Sequence, residues 1–183
     1  MLASSVFAVG NSSDAFLILR AQNLGLSLSL TIIAYTLFNA FYAVSSLPAG
    51  IVSDRIGQKR VLLCGFCLFA LVYLLFGIAT KGLFVWILFP LYGVYMALTE
   101  GVGKAYISLL FEKEYAGTTY GIYQALVGIF SFVSSLVAGF LWQYAGPGAP
   151  FIFGGATALV AFLIFLQAKD STGDAPDPIL PSS

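Results

Sequence analysis

The amino-acid sequence predicts an all-α membrane protein with six transmembrane helices. Of its 183 residues, 60% are hydrophobic and only 9% are charged, whereas a soluble domain usually carries about 25% charged residues. The apolar residues fall into six runs, most of them close to the ~20 residues that cross a bilayer. Helices are expected because a segment in lipid must satisfy its own backbone, and the short alternating segments of a β-barrel are not found in the sequence.

The predicted spans follow one another with short connections. They cover approximately residues 2–19, 28–52, 61–79, 83–104, 118–144 and 151–167. Glycine, proline or charged residues separate them, most clearly in the breaker over residues 146–150. Together the spans form one domain over residues 1–168. The polar, proline-rich residues 169–183 are expected to be a disordered cytoplasmic tail.

The first span is the least regular of the six. Four consecutive polar residues interrupt it, namely Asn11, Ser12, Ser13 and Asp14. Two interpretations are open: either this span is tucked against other helices, or its inner end is missing from this chain.

The distribution of cations predicts the orientation in the membrane. Five cations lie on one side of the predicted bundle: Arg55, Lys59, Arg60, Lys113 and Lys169. The opposite side has only Arg20 and Lys81. Because Lys and Arg are enriched in cytoplasmic loops, the first side is expected to face the cytoplasm. With six spans, both termini are then cytoplasmic, in a multi-pass protein of the cell (inner) membrane.

Composition also argues against several classes of function. The formal net charge is zero and histidine is absent, which leaves no basic patch for nucleic acid and no histidine for catalysis or metal binding. Without identifiable catalytic machinery, the chain is not expected to be an enzyme. No cofactor or metal site is predicted. The C-x-x-C spacing of Cys64 and Cys67 lies in an apolar run, which favours packing residues on one helix face.

A polar island over residues 50–60 stands between the second and third spans. It contains an acid, three of the eight cations and two glycines, and it is expected to form one short turn. Its pattern, G-x-x-x-D-R-x-G-x-K-R, resembles the signature loop of the major facilitator superfamily of secondary transporters. Residues 10–22, 98–101 and 117–124 resemble the seventh, tenth and eleventh helices of a bacterial branch of that superfamily. The resemblance implies the C-terminal six-helix half of a twelve-helix transporter.

The polar island and the inner end of the fourth span are expected to form a conformational latch. Its predicted members are Gly50, Asp54, Arg55, Gly57, Lys59, Arg60, Glu100 and Lys104. Gly50 would allow a close helix approach, Asp54 would accept from a facing helix N-terminus, and Gly57 would permit the turn. Arg55 is expected to pair with Glu100, which also lies four residues before Lys104. The alternative is that these charges only anchor helix ends at the membrane interface.

A second set of polar residues is expected to line a cavity. It comprises Asn11, Asp14, Tyr35, Asn39, Tyr42, Tyr92, Tyr95, Tyr120 and Gln124. Most recur at helical spacing on the second, fourth and fifth spans. Asp14 is a candidate proton carrier or substrate contact, although capping and helix-to-helix hydrogen bonding explain it as well. For the other positions, hydrogen bonding between helices is an equally good interpretation.

The resemblance implies transport of a small molecule by alternating access, with ion coupling. The chain would then need a partner in the bilayer, either an N-terminal six-helix half or a second copy of itself. The alternative is a truncated, non-transporting membrane protein or a scaffold.

Overall fold

The computed structural model describes Phe7, Gly10, residues 11–110 and residues 116–167, except for the side chains of residues 104–110, 116, 119 and 120. This part of the chain is helical, which confirms the predicted all-α class. Its helices are α1 (Ala15–Asn23), α2 (Leu28–Ile56), α3 (Gln58–Ile78), α4 (Val85–Leu110), α5 (Ala116–Ala145) and α6 (Ala149–Gln167). A 3-10 turn, Gly82–Phe84, precedes α4. The predicted tail and Lys113 lie outside the described residues.

Five of these six helices are long and apolar enough to cross a membrane, and α1, with nine residues, is the exception. The predicted first span is therefore not one continuous helix. The backbone leaves the helical conformation over residues 11–13, and α1 begins only at Ala15. Ser13 offers a local reason, since its hydroxyl accepts a hydrogen bond from the Ala15 N–H at 3.3 Å and so competes with a continuing helix.

Three residues of α1, Leu17, Arg20 and Ala21, are buried. The short helix is thus tucked against its neighbours, as one of the two interpretations required.

The prediction that the polar island over residues 50–60 forms one turn is wrong. α2 continues through Ile56 and α3 begins at Gln58, so only Gly57 stands between the two helices. Gly57 has a φ of +93°, which residues with a side chain rarely adopt. One glycine therefore makes the junction, and the other polar residues extend from the ends of the helices.

α2 and α4 pack side by side in the same direction. Their contacts rise together in residue number: the Phe38 ring lies 5.3 Å from the Tyr92 ring, and the Tyr42 hydroxyl lies 3.4 Å from Glu100 Oε2. Gly93 of α4 faces the α2 backbone directly. A Cβ placed on Gly93 would collide with the Phe38 carbonyl oxygen and would come within 3.0 Å of the Tyr42 nitrogen.

We expect Gly93→Ala to destabilise the bundle by about 1–3 kcal/mol, because the added methyl meets backbone that cannot move aside. Gly101→Ala is the matched control on the same helix, since a Cβ there meets nothing within 4 Å. An alanine at an unhindered helix position is favourable by about 0.5–1 kcal/mol. Denaturant unfolding in lipid or detergent should therefore show a lower free energy of unfolding for Gly93→Ala and a higher one for Gly101→Ala. Equal shifts for both variants would contradict the close approach of α2 and α4.

The core lies where α3 meets α4 and α6. Its largest fully buried side chains are aromatic and come from these three helices: Phe69, Tyr73, Phe76, Phe89, Tyr92, Tyr95 and Phe151. Cys64 and Cys67 are free and exposed on α3. They were predicted to be packing residues, but they are not buried against other helices of this chain. A smaller apolar cluster around Val61, Leu62 and Val102 joins the start of α3 to the C-terminal half of α4.

Candidate functional site

The helix break before α1 brings a carboxylate against α4. Asp14 is the residue immediately before α1, and the Tyr92 hydroxyl donates a hydrogen bond to its Oδ1 at 2.8 Å. The Tyr35 hydroxyl of α2 lies near the same carboxylate. Two predicted cavity residues and the predicted intramembrane acid are thus brought together.

A second carboxylate lies further along the same pair of helices. The Tyr42 hydroxyl donates to Glu100 Oε2 at 3.4 Å. Tyr42 stands at the middle of α2, and Phe38, which packs against Tyr92, is four residues before it. Four residues correspond to about 6 Å of helix. The Glu100 carboxylate thus contacts the middle of the spanning helix α2, and the Asp14 carboxylate contacts the spanning helix α4, where uncompensated charge is costly.

We call this arrangement the polar face. It consists of Asp14, Tyr35, Tyr42, Tyr92 and Glu100. Its chemistry is two acids and three phenolic hydroxyls, all of which offer oxygen atoms. Such a surface can bind protons or cations, and it contains no cationic side chain among the described residues.

Arg20, the nearest cation in sequence to Asp14, is engaged elsewhere. Its guanidinium is buried and donates to the carbonyl oxygens of Phe76, Gly77 and Ala79 at 3.0, 3.2 and 2.8 Å. These carbonyls lie at the C-terminal end of α3, where the backbone has no partner of its own and the dipole favours a cation. Within the described residues, no cation forms an ion pair with Asp14.

The remaining predicted cavity residues are distributed differently. Tyr92 and Tyr95 are each only 1% exposed, so they are core residues rather than cavity lining, and only the Tyr92 hydroxyl reaches the site. They pack against α3 because α4 lies beside it, with the Tyr95 and Phe69 ring centroids 4.8 Å apart. Asn39 and Gln124 are exposed and Asn11 is half-buried, whereas the side chain of Tyr120 lies outside the described residues.

The predicted ion pair between Arg55 and Glu100 is not formed, and it needs correction. Glu100 instead accepts a hydrogen bond from the Tyr42 hydroxyl at 3.4 Å, thirteen residues before Arg55 on α2. Arg55 is exposed at the end of α2.

The other predicted latch residues stay at the helix ends. Asp54, Arg55, Gly57 and Arg60 are exposed, and Lys59 is half-buried. A Cβ on Gly50 would meet nothing within 4 Å, so the close approach expected there is not made by the described residues. The side chain of Lys104 lies outside the described part of the chain.

Sequence reasoning missed two groups that belong near this site. The hydroxyls of Ser12 and Tyr73 are buried and lie near each other, but neither has a partner among the described residues with the geometry of a hydrogen bond. Tyr73 is a phenol within an otherwise apolar span, which is the signal that was available. Nothing in the sequence indicated that α3 places it opposite Ser12.

Comparison with known proteins agrees with this architecture. The sequence model of the Major Facilitator Superfamily matches residues 1–180. A protein of Methanocaldococcus jannaschii, named as an MFS-type transporter, is 38% identical over 91% of this chain and 43% of its own length. The tetracenomycin C resistance and export protein of Streptomyces glaucescens is 28% identical over 68% of this chain and 24% of its own length. The chain therefore spans less than half the length of these relatives.

Proposed function

Because this chain belongs to the major facilitator superfamily, we propose that it forms the C-terminal six-helix half of a secondary transporter that moves a small molecule by alternating access. The observation that carries the proposal is the polar face, where the carboxylates of Asp14 and Glu100 contact the spanning helices α4 and α2. Ionisable side chains within a membrane-spanning bundle are typical of substrate and ion pathways. The superfamily consists of transporters, and we propose no catalytic role for the chain.

The exposed surfaces of α2 and α5 support the need for a second half. Large apolar side chains stand free on both helices, including Val44, which is 76% exposed, and Phe132, which is 66% exposed. Substrate sites in transporters of this kind lie at the interface between two repeats. We therefore propose that α2 and α5 face the second six-helix half, which is either a separate N-terminal half or another copy of this chain.

The exposed charges at the junction of α2 and α3 are the proposed latch. The side chains of Asp54 and Arg55 form no hydrogen bond or ion pair with any other described residue, and both are exposed at the end of α2. Their partners in the latch are proposed to belong to the second half. The junction is proposed to face the cytoplasm, in the inner membrane, because most cations lie on that side.

We expect Asp54→Asn to lower transport by roughly tenfold, in line with the loss of one charge-assisted hydrogen bond of about 1.5–3 kcal/mol. Gly50→Leu is expected to act in the same direction by crowding the surface of α2 that is proposed to face the second half, because a Cβ on Gly50 meets nothing within 4 Å in this chain. Lys81→Gln is the matched control, because Lys81 is an exposed charge beyond the opposite end of α3. Flux in vesicles at equal protein abundance measures the effect. Normal flux in Asp54→Asn would contradict the proposed role of Asp54 in the latch.

The proposal itself is tested by screening small molecules in vesicles that contain the chain together with its second half. Accumulation of at least one compound is expected only when an ion gradient is present, with proton and sodium gradients imposed separately. A truncated protein or a scaffold would insert normally and accumulate nothing above empty vesicles with either gradient.

A further inference from the structure

Two buried hydroxyl groups next to the helix break lack hydrogen-bond partners. Ser12 is 5% exposed and Tyr73 is 0% exposed. The Tyr73 hydroxyl lies near those of Ser12 and Tyr92, yet neither Ser12 nor Tyr73 has a partner among the described residues with the geometry of a hydrogen bond. Buried polar groups are almost always satisfied, so an unpartnered pair in one place indicates that a bound water or ion completes it.

The surrounding backbone is open rather than helical. Gly10 is helical, residues 11–13 are not, and α1 begins at Ala15. Interrupted helices in transporters expose backbone carbonyls that are suited to binding a small cation. Ser12 lies within this interruption, and Tyr73 approaches it from α3.

The charge at this position calls for a cation. Asp14 is two residues from Ser12, and its Oδ1 accepts from Tyr92 at 2.8 Å. No described cation pairs with this carboxylate, because Arg20 is bound to carbonyls at the end of α3. A water molecule would satisfy the two hydroxyls, but the carboxylate would then have to take up a proton, whereas a bound cation satisfies the hydroxyls and balances the charge together.

We propose that Ser12, Asp14 and Tyr73 form a sodium-binding site at the helix break. All of these groups offer oxygen atoms, which hard cations prefer. One carboxylate balances a monovalent ion. A divalent ion is disfavoured, since the next carboxylate, Glu100, lies eight residues beyond Tyr92 on α4, or about 12 Å along the helix.

This inference rests on the ion coupling in the proposed function and names the ion. Binding of sodium during the transport cycle would order the break between Gly10 and Ala15, which holds α1 against α4. Because sodium binding is measured without any transport, the sodium site and the proposed transport function can be rejected independently of each other.

The test is the thermal unfolding of the full chain in lipid nanodiscs, at constant pH and ionic strength, in sodium, potassium or choline chloride. Sodium is expected to raise the midpoint in a saturable manner, and potassium and choline are expected to have little effect. Tyr73→Phe and Ser12→Ala should each weaken the apparent sodium affinity by about tenfold or more. In choline, both variants should be as stable as the parent or more stable, because an unsatisfied buried hydroxyl has been removed.

Tyr144→Phe is the control, since Tyr144 is 82% exposed on α5, and it should keep the full sodium response. Equilibrium binding of radioactive sodium to membranes gives the same comparison for any variant that unfolds in nanodiscs. The proposal is overturned if the parent shows no sodium-specific shift, or if Tyr73→Phe and Ser12→Ala respond to sodium as the parent does. Transport driven by protons alone, together with no sodium response, would reject this site and retain the proposed function. A sodium response without any transport would retain this site and reject the proposed function.

Discussion

Asp14→Asn is expected to abolish gradient-driven accumulation of substrate, with a loss on the order of 100-fold. The asparagine keeps the size of the side chain and an oxygen that accepts from the Tyr92 hydroxyl. It removes the negative charge that is proposed to balance the coupling ion. Losing one partner of a buried charge pair costs about 3–5 kcal/mol, which corresponds to 100-fold or more in binding.

Counterflow separates the coupling role from a structural role. Exchange of labelled for unlabelled substrate requires no ion gradient, so it should persist in Asp14→Asn at matched membrane abundance. Asp14→Glu should retain part of the accumulation because it restores the charge. If accumulation by Asp14→Asn equals that of the parent, the carboxylate has no part in coupling. If counterflow is lost as well, Asp14 contacts the substrate or supports the fold instead.

Arg20→Met is expected to be the most destabilising single change outside the polar face, at about 3 kcal/mol or more, since hydrogen bonds to charged groups contribute about 1.5–3 kcal/mol each. Methionine preserves much of the side-chain volume but leaves the carbonyls of Phe76, Gly77 and Ala79 without their donor. It also removes the 2.8 Å hydrogen bond from Arg20 to Asn23 Oδ1. The end of α3 and the packing of α1 should loosen together.

Lys81→Met is the matched control for that experiment. Lys81 is an exposed cation two residues beyond Ala79, so its loss should change stability by less than about 0.5 kcal/mol. Denaturant unfolding of both variants in detergent measures the difference. A shift of similar size for Arg20→Met and Lys81→Met would show that Arg20 does not cap α3.

The helices were predictable from the sequence because each rule involved is local. Bilayer thickness and apolar run length predicted five of the membrane-crossing segments. Gly57 was identifiable as a turn residue, and residues 11–14 as a weak point, from their polarity alone. The length of the turn was overestimated because polar residues at a helix end and polar residues in a loop look alike in composition.

The site was less predictable because it depends on how helices align. Glu100 was expected beside Arg55, since both were placed at the inner face of the membrane. The parallel alignment of α2 and α4 instead puts Glu100 beside Tyr42. Period and polarity place a residue on a face of its own helix, but they do not say which neighbour that face meets. The same limit concealed the contact between Ser12 and Tyr73 and the capping of α3 by Arg20.

The central proposal is that α2 and α5 face the second half across a water-filled pathway, and it follows that the exposed sides of α3 and α6 face lipid. Cysteine accessibility in native membranes tests it without knowledge of the substrate. In a background with Cys64 and Cys67 replaced by alanine, Asn39→Cys on α2 and Gln124→Cys on α5 should react rapidly with a membrane-impermeant maleimide. Leu71→Cys on α3 and Leu159→Cys on α6, which are also exposed in this chain, should not react. Equal labelling at all four positions, or labelling only on α3 and α6, would contradict the account.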